Sequence, residues 1–512
     1  MKKAQTLGEL RASGYHVQSI KDEVRKNLVE KLRAKETLFP GVIGYEETVI
    51  PQIVNALLAK HDIILLGLRG QAKTRLARSL VNLLDEWTPI IAGSEVMDNP
   101  YDPISFYGRS RVAELGDDTP IDWIHRSERY GEKLATPDVT IADLIGDIDP
   151  LKAAAQRLHY SHEGAIHFGI IPRTNRGIFT INELPDLQPR IQVGLFNILE
   201  ERDIQIRGFK VRIPLDSMMI FTANPEDYTN RGNIITPLKD RIAAQIITHY
   251  PLDLDHAIAI TEQEAWTKRW GEEGLVVPYY FREIIEQIAV EARASDWVDQ
   301  KSGVSARLST SAMETLISNA ERRALSNGDT IIAPRITDLA AVVTGITGKV
   351  ELVFEGEEEG ISTVAKALIG RAVKTIFKKY FPDPMAKAKR KPGNEPPEKS
   401  DYDEILSWFA KGNNLAISDT MTFDAYSHEL SRVPRLKELA AKNISVPEAD
   451  RFSLASAMEF ILEGLHQHSK IAKADSFGDP KVSYGDMVGA LFTGGFATDD
   501  EDDDSEEEID DL

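Results

Sequence analysis

The sequence predicts an α/β chain: a parallel sheet with helices on both faces, then an all-α domain, then a small C-terminal helical domain. Three observations carry this. Short, continuously apolar runs such as "HDIILLG", "GIFTIN" and "SMMIFTAN" read as strands buried on both faces. Segments with helical spacing alternate with them, as strand–helix crossovers require. From residue 253 to about 350 the strand-like runs stop and only helical periodicity continues.

Taken in order, residues 1–37 hold a helical pattern from Ile20 to about Lys35. After "LFPGVIG" comes an apolar helix near Val49 to Leu58, and "HDIILLG" is then a strand ending on glycine. Leu76, Leu80 and Leu83 recur at helical spacing, so the residues before them connect a strand to a helix. Ile178 to Ile181 and Met218 to Thr222 are two further central strands, and "AAQIITHYP" is a fourth that ends at Pro251. "DIQIRGFKVRIPLD" alternates apolar and polar residues around Arg207-Gly208, as a hairpin does.

Residues 38–252 are therefore one α/β domain with insertions, 253–350 a helical domain and 351–381 a helical extension. "MAKAKRKPGNEPPEKSD" is rich in proline and charge, which makes 382–401 a linker. Residues 402–495 read as a small helical domain without evident chemistry. In the remainder, 496–512, Asp499 to Asp511 hold eleven acids and almost nothing apolar, so a disordered solvating tail is expected.

The formal net charge of -21 falls to about -10 when that tail is set aside. This mild acidity argues against non-specific nucleic-acid binding on bulk charge. No cysteine is present, which excludes disulfides and thiolate metal sites and suits a reducing, cytoplasmic compartment. No run approaches the roughly 20 apolar residues that cross a bilayer, and no apolar signal segment follows the two N-terminal lysines.

The segment between the first strand and its helix is "GLRGQAKT", one residue from the phosphate-loop pattern G-x-x-x-x-G-K-[ST]. Gly67 and Gly70 free the backbone N–H groups of Leu68, Arg69, Gln71 and their neighbours to turn inward, and the helix that continues through Arg75 adds its N-terminal dipole. Lys73 is placed to reach the β- and γ-phosphates, and the Thr74 hydroxyl to bind Mg²⁺. Ala72 stands where the pattern has glycine, a mild change if that position has helical backbone angles.

Other candidates lie at strand ends. "GIFTINELPDL" ends a strand in Asn182 and Glu183, where an aspartate near the metal and a glutamate near the attacking water are usual. Asn182 brings no negative charge, so weaker Mg²⁺ retention is expected, whereas Glu183 keeps the carboxylate that orients water. Asn224 closes the next strand, Arg241 follows in "PLKDRI", and Arg307 opens a helix in "SGVSARL". A guanidinium brought to a phosphoryl group raises transfer rates by orders of magnitude. His159, His162 and His167 are read as loop residues without paired carboxylates, and His466 and His468 as solvated.

The ordered set "FPGVIGYEE", "GLRGQAKT", "TIADLIGDIDP", "RGIFTINELPDL", "FTANPEDY", "PLKDRI" and "GVSARL" resembles the AAA+ ATPases of the magnesium chelatase subunit I and MoxR group, over about residues 38 to 350. The resemblance implies a P-loop AAA+ core with a five-stranded parallel sheet, an all-α lid at 253–350, ATP and Mg²⁺ as cofactors, and a homo-oligomeric, hexameric ring. It implies Ile43 and Gly44 near the adenine, Glu183 as catalytic acid, Asn224 as sensor 1, Arg241 as arginine finger and Arg307 as sensor 2. Loops with alanine before the lysine occur in that group. The segment from Thr140 to Gly177 resembles its pore-facing insertion. Asn182 departs from the usual Asp-Glu pair, and the stretch from Ile90 to Glu132 has no counterpart in the resemblance.

The function so implied is an ATP hydrolase that couples nucleotide turnover to remodelling a partner protein, in that group often one with a von Willebrand A domain. The alternative, resting on Asn182, is a nucleotide-gated binding module with little or no hydrolysis. Metal insertion into a tetrapyrrole is not implied for this chain alone, because subunit I is the motor there. The lack of a GAFTGA loop argues against a σ54-type activator, and the charge against a DNA helicase.

Overall fold

A computed structural model describes residues 3–155, 157–159, 162–206, 212–224, 233–269, 274–386, 400–444, 450–475 and 481–487. The turn at Arg207-Gly208, most of the 382–401 linker and the acidic tail lie outside them. The chain forms two compact units, one of Met1–His256 with Lys301–Ser305, the other of Ala257–Gln300 with Ala306–Leu512.

The first unit is built on five strands: β1 (Ile63–Leu66), β2 (Tyr130–Leu134), β3 (Gly177–Asn182), β4 (Ser217–Ala223) and β5 (Ala244–Ile247). Their order across the sheet is β5-β1-β4-β3-β2, with every neighbouring pair parallel. Side chains of successive strand residues point to opposite faces, and each face has its own apolar layer. Ile63, Leu65, Ile178, Met218 and Ile220 pack with α1 (Ile20–Arg33), α2 (Val49–Leu58) and α3 (Lys73–Ser79). Ile64, Phe179, Ile181, Met219 and Phe221 pack with Leu144, Ile191, Leu195 and Ile213 on the other side. Burial on both faces is why these strands show no alternation in sequence.

Strand β2, "YGEKL", was not evident from the sequence. It is an edge strand, partly exposed along its length, and its mixed polarity gives no apolar run. It ends the stretch that had no counterpart. That stretch, with the three residues before it, holds an antiparallel pair, Trp87–Ile91 with Ile121–His125, and a helix over Phe106–Leu115. Its loop is organised by the fully buried Asp98, which accepts from the backbone N–H groups of Ile104 (2.7 Å) and Ser105 (2.9 Å) and the hydroxyl of Ser94 (2.8 Å). The predicted hairpin arms pair antiparallel, Asp203–Gln205 with Arg212–Pro214. The short helix α4 (Thr236–Arg241) precedes β5.

The second unit holds α5 (Tyr279–Ala294), α6 (Arg307–Asn327), α7 (Ile361–Tyr380) and α8 (Arg451–Gln467). Tyr280 of α5 stacks on Phe460 of α8 at 4.8 Å and donates to Ser456 at 2.8 Å. Glu459 of α8 accepts from the backbone N–H groups of Ile336 and Thr337 and from the Tyr426 hydroxyl at 2.6 Å. Residues past 402 thus share a core with the helices before them. The purely helical reading of 402–495 needs correction: β6 (Leu415–Ser418), β7 (Ala472–Asp475) and β8 (Lys481–Gly485) form an antiparallel sheet with β8 central. These strands are too short to show a clear period in sequence. His468 also departs from its solvated reading. It caps α8 with 3% exposure, and its Nδ1 donates to the Gly464 carbonyl at 2.7 Å. Among the described residues no helix is long and apolar enough to cross a membrane.

Candidate functional site

The loop Gly67–Ala72 leaves the carboxyl end of β1 and delivers the chain into α3 at Lys73. Gly67 donates its N–H to the Ala223 carbonyl at 3.1 Å, tying the loop to the end of β4. A Cβ at Gly67 would lie 2.0 Å from Thr248 Oγ1 and 2.2 Å from Gln71 Oε1, so only glycine fits. Those two side chains are themselves bonded at 2.8 Å, which holds the loop against the residue after β5. Gly70 has φ 78. Lys73 is buried, and its ammonium donates into the loop, to the carbonyls of Gly67 and of Leu68 (3.0 Å).

Ala72 corrects an expectation. Its angles are φ 55, ψ 16, in the left-handed region, where a Cβ is strained. The position calls for the glycine of the pattern after all, and the alanine is held there by its surroundings.

Further contacts surround the loop. Arg69 Nε donates to the Gly303 carbonyl at 3.2 Å, and the Tyr250 hydroxyl donates to the Arg69 carbonyl at 3.0 Å. Arg75 donates to the Gly41 carbonyl at 2.9 Å, bringing the "PGVIG" turn beside α3. There Ile43 is half-buried, and Gly44, with φ 81, faces the side chain of His256. The Tyr45 hydroxyl lies 2.7 Å from the His249 carbonyl and 3.0 Å from that of Gln71; burial pushes its pKa up to about 12, so it stays protonated.

Asn182 ends β3, and Glu183 and Asn224 follow β3 and β4, at the same carboxyl end as the loop, the side of a parallel sheet where ligands bind. Glu183 is left-handed too, at φ 54, and its N–H donates to Thr222 Oγ1 at 3.2 Å. Asn182 is 7% exposed. Its Nδ2 donates to Glu132 Oε1 at 2.9 Å and its Oδ1 accepts from the Thr222 hydroxyl at 3.2 Å. Glu132, from the unforeseen strand β2, also accepts from both Nε (2.8 Å) and Nη2 (2.9 Å) of Arg78 and from the Tyr130 hydroxyl (3.0 Å). Arg78 holds the Glu132 carboxyl below the usual carboxylate range against the opposing effect of burial. Glu132 and Arg78 were missed by sequence reasoning; the one available signal was that Arg78 lies four residues after Thr74 on a helix.

Arg241 ends α4, with Nε on Glu200 Oε2 at 2.7 Å, a guanidinium nitrogen on the Pro237 carbonyl at 2.8 Å, and its plane over the Phe196 ring at 4.5 Å. Arg307 is the first residue of α6 and belongs to the second unit. The cavity lined by Thr261, Glu286, Met313 and Ile317 in that unit contains none of the predicted site residues.

The donors fit a nucleotide with a hard cation. A glycine cradle with no room for a Cβ and a buried lysine suit phosphate oxygens, while the hydroxyl of Thr74 and the oxygens of Asn182, Glu183 and Glu132 suit Mg²⁺. Among the described residues no group of three or more His, Asp or Glu is arranged to hold a metal by itself, and His162 spends its Nδ1 accepting from the Gly164 N–H at 3.0 Å.

Five parallel strands with a phosphate loop after the first and a carboxylate after the third define the architecture. This is a P-loop α/β fold, the core that the resemblance implied. No protein-family model matches the chain, and no curated protein sequence does. Among solved structures it is similar to NtrX from Brucella abortus (14% identity, 57% of this chain and 53% of that one, TM-score 0.32). It is also similar to a complex of subunits BchI and BchD of magnesium chelatase (16%, 63% and 98%, TM-score 0.31) and to Hsp104 with ATPγS and casein (12%, 62% and 51%, TM-score 0.36). The overlaps span about half the length of the NtrX and Hsp104 chains. The fold stands on the chain's own strand order and loop.

Proposed function

We propose that the chain is a Mg²⁺-dependent ATPase that assembles as a ring and couples ATP binding and hydrolysis to remodelling of a partner protein. The observation that carries this is the glycine cradle with buried Lys73 at the carboxyl ends of β1 and β4, with Glu183 at the end of β3. In this reading the loop N–H groups and Lys73 bind the phosphates, Thr74 and the neighbourhood of Asn182 hold Mg²⁺, and Mg²⁺, when bound, neutralises phosphate charge. Glu183 orients or deprotonates the attacking water, and Asn224 holds that water or the γ-phosphate. Ile43 and Gly44 flank the base, and the resemblance assigns Arg307 the sensor 2 role. Arg241 acts on the site of the neighbouring copy, which is the reason for a homo-oligomer; a hexamer and a partner with a von Willebrand A domain follow from the resemblance, and a cytoplasmic location from the absence of cysteine.

The test is a set of three variants. Lys73→Ala is expected to lose ATP binding. Glu183→Gln is expected to retain ATP with turnover reduced at least about a hundredfold, on the scale of general-base catalysis. Arg241→Ala is expected to bind ATP normally and turn over about a thousandfold more slowly. Binding is read by nucleotide fluorescence and turnover by phosphate release; wild-type rates in both hydrolysis variants would overturn the proposal.

The neutral Asn182, with both ends of its amide engaged, favours one second reading: a nucleotide-gated binding module with little hydrolysis. Asn182→Asp separates the two. If wild type is silent with excess Mg²⁺, with and without partner, while the variant hydrolyses ATP, the switch is the better description.

A further inference from the structure

We propose that Glu132 is the carboxylate of the Mg²⁺ site, supplying from the neighbouring strand the negative charge that Asn182 lacks, with Arg78 as its resting counter-ion. The inference rests on the nucleotide reading above and deepens it.

Three observations lead to it. Strand β2 lies directly beside β3, with Leu134 opposite Asn182, and a diagonal contact brings Glu132 Oε1 within 2.9 Å of Asn182 Nδ2. Helix α3 carries Thr74 and, four residues on, Arg78, so the magnesium-binding hydroxyl and the guanidinium lie on one helix face. The shallow cleft lined by Thr74, Arg75 and Ser79 shares Arg78 and Asn82 with the cleft lined by Tyr130 and Glu132. Glu132 and Asn182 therefore meet, and Arg78 links them to the helix that carries Thr74.

A surface ion pair between Glu132 and Arg78 would be the plainer account, and such pairs contribute little. It leaves two contacts unexplained. The amide of the buried Asn182 is turned so that it donates to Glu132, and the Tyr130 hydroxyl donates to the same carboxylate. Three sets of donors orient a side chain that is only a quarter exposed. The Arg78 side chain, by contrast, is 63% exposed and is free to swing toward solvent when a cation replaces it. Mg²⁺ keeps several waters and takes only one or two carboxylates, so a carboxylate one strand away can serve through a bound water. An aspartate at 182 would make Glu132 redundant; the asparagine leaves the carboxylate it is hydrogen-bonded to as the substitute charge.

The experiment is fluorescence titration of mant-ATP binding to the full chain over a range of free Mg²⁺, each variant referred to its own binding in EDTA. Glu132→Gln is expected to raise the Mg²⁺ concentration for the half-maximal effect at least about tenfold, as loss of an outer-sphere partner does. Adding Asn182→Asp to it is expected to return the midpoint to within about threefold of wild type, on the same scale. Arg78→Ala, which keeps the carboxylate and removes its competitor, is expected to lower the midpoint. Wild-type Mg²⁺ dependence in Glu132→Gln, with mant-ATP bound, overturns the role of Glu132 and leaves the nucleotide reading intact. Should Glu132→Gln not fold, an unchanged midpoint in Arg78→Ala overturns it equally. If wild type binds no mant-ATP, the nucleotide reading falls and the metal role with it.

Discussion

Ala72 and Glu183 lie at the carboxyl end of the sheet with left-handed backbones, φ 55 and 54. For a non-glycine residue that conformation costs roughly 1–2 kcal/mol, and such strain gathers where surrounding structure imposes it. At position 72 glycine would remove the strain but loses about 0.4–1 kcal/mol more chain entropy on folding. The two effects nearly cancel. Ala72→Gly is therefore expected to change the unfolding free energy by less than about 1 kcal/mol, read by urea denaturation, and to keep ATP binding. Ala72→Val places a branched Cβ at positive φ and is expected to weaken ATP binding at least about tenfold in the same nucleotide titration. The identity of the loop residues was legible in sequence because the pattern is local. The angle at Ala72 was not, since the pattern fixes residue types and not backbone angles.

At the scale of elements, one buried ion pair anchors α1 to the start of the edge strand. Arg129, immediately before β2, donates to both oxygens of Glu23 on α1 at 2.7 Å, and also to the Arg176 carbonyl (2.8 Å) and Thr88 Oγ1 (2.6 Å). Both side chains are almost fully buried. Breaking such a pair leaves an uncompensated charge, at a cost of about 3–5 kcal/mol, whereas replacing both partners by apolar groups is often close to neutral. Glu23→Gln is expected to lower stability by about 3 kcal/mol in urea unfolding, and the double variant Glu23→Leu with Arg129→Met by less than that. A double variant worse than the single would show that the pair itself is net stabilising. The central strands of this unit were legible as apolar runs. Strand β2 was hidden because an edge strand needs only one partner and one dry face, so "YGEKL" looks like loop.

At the scale of the whole molecule, each compact unit has its own core, and that of the second contains ionisable groups. Burial opposes ionisation of Glu463, but Lys473 at 3.0 Å, with His466 and Gln467, outweighs it and holds the carboxyl down to about 2. A depressed acid stabilises the fold above its unfolded pKa of about 4.3, and that contribution is lost as pH falls through about 2. Burial instead raises Glu459 and Glu286, whose contributions are present at low pH and lost as pH rises through their folded values. Glu463→Gln is thus expected to cost about 3 kcal/mol at neutral pH, with the difference from wild type shrinking between about pH 4 and pH 2. A difference independent of pH over that range, in denaturant titrations, would place the pair's energy elsewhere.

By itself the sequence determined the phosphate loop, the carboxylate at the end of β3 and the α/β pattern, because each is written in contiguous residues whose spacing is read along one strand or helix. Only the tertiary structure decided which charge lies beside Asn182. Glu132 is 50 positions away along the chain and becomes its neighbour through the order of strands alone. Strand order is set by how two apolar layers close over both faces of the sheet, and a local pattern carries no record of that.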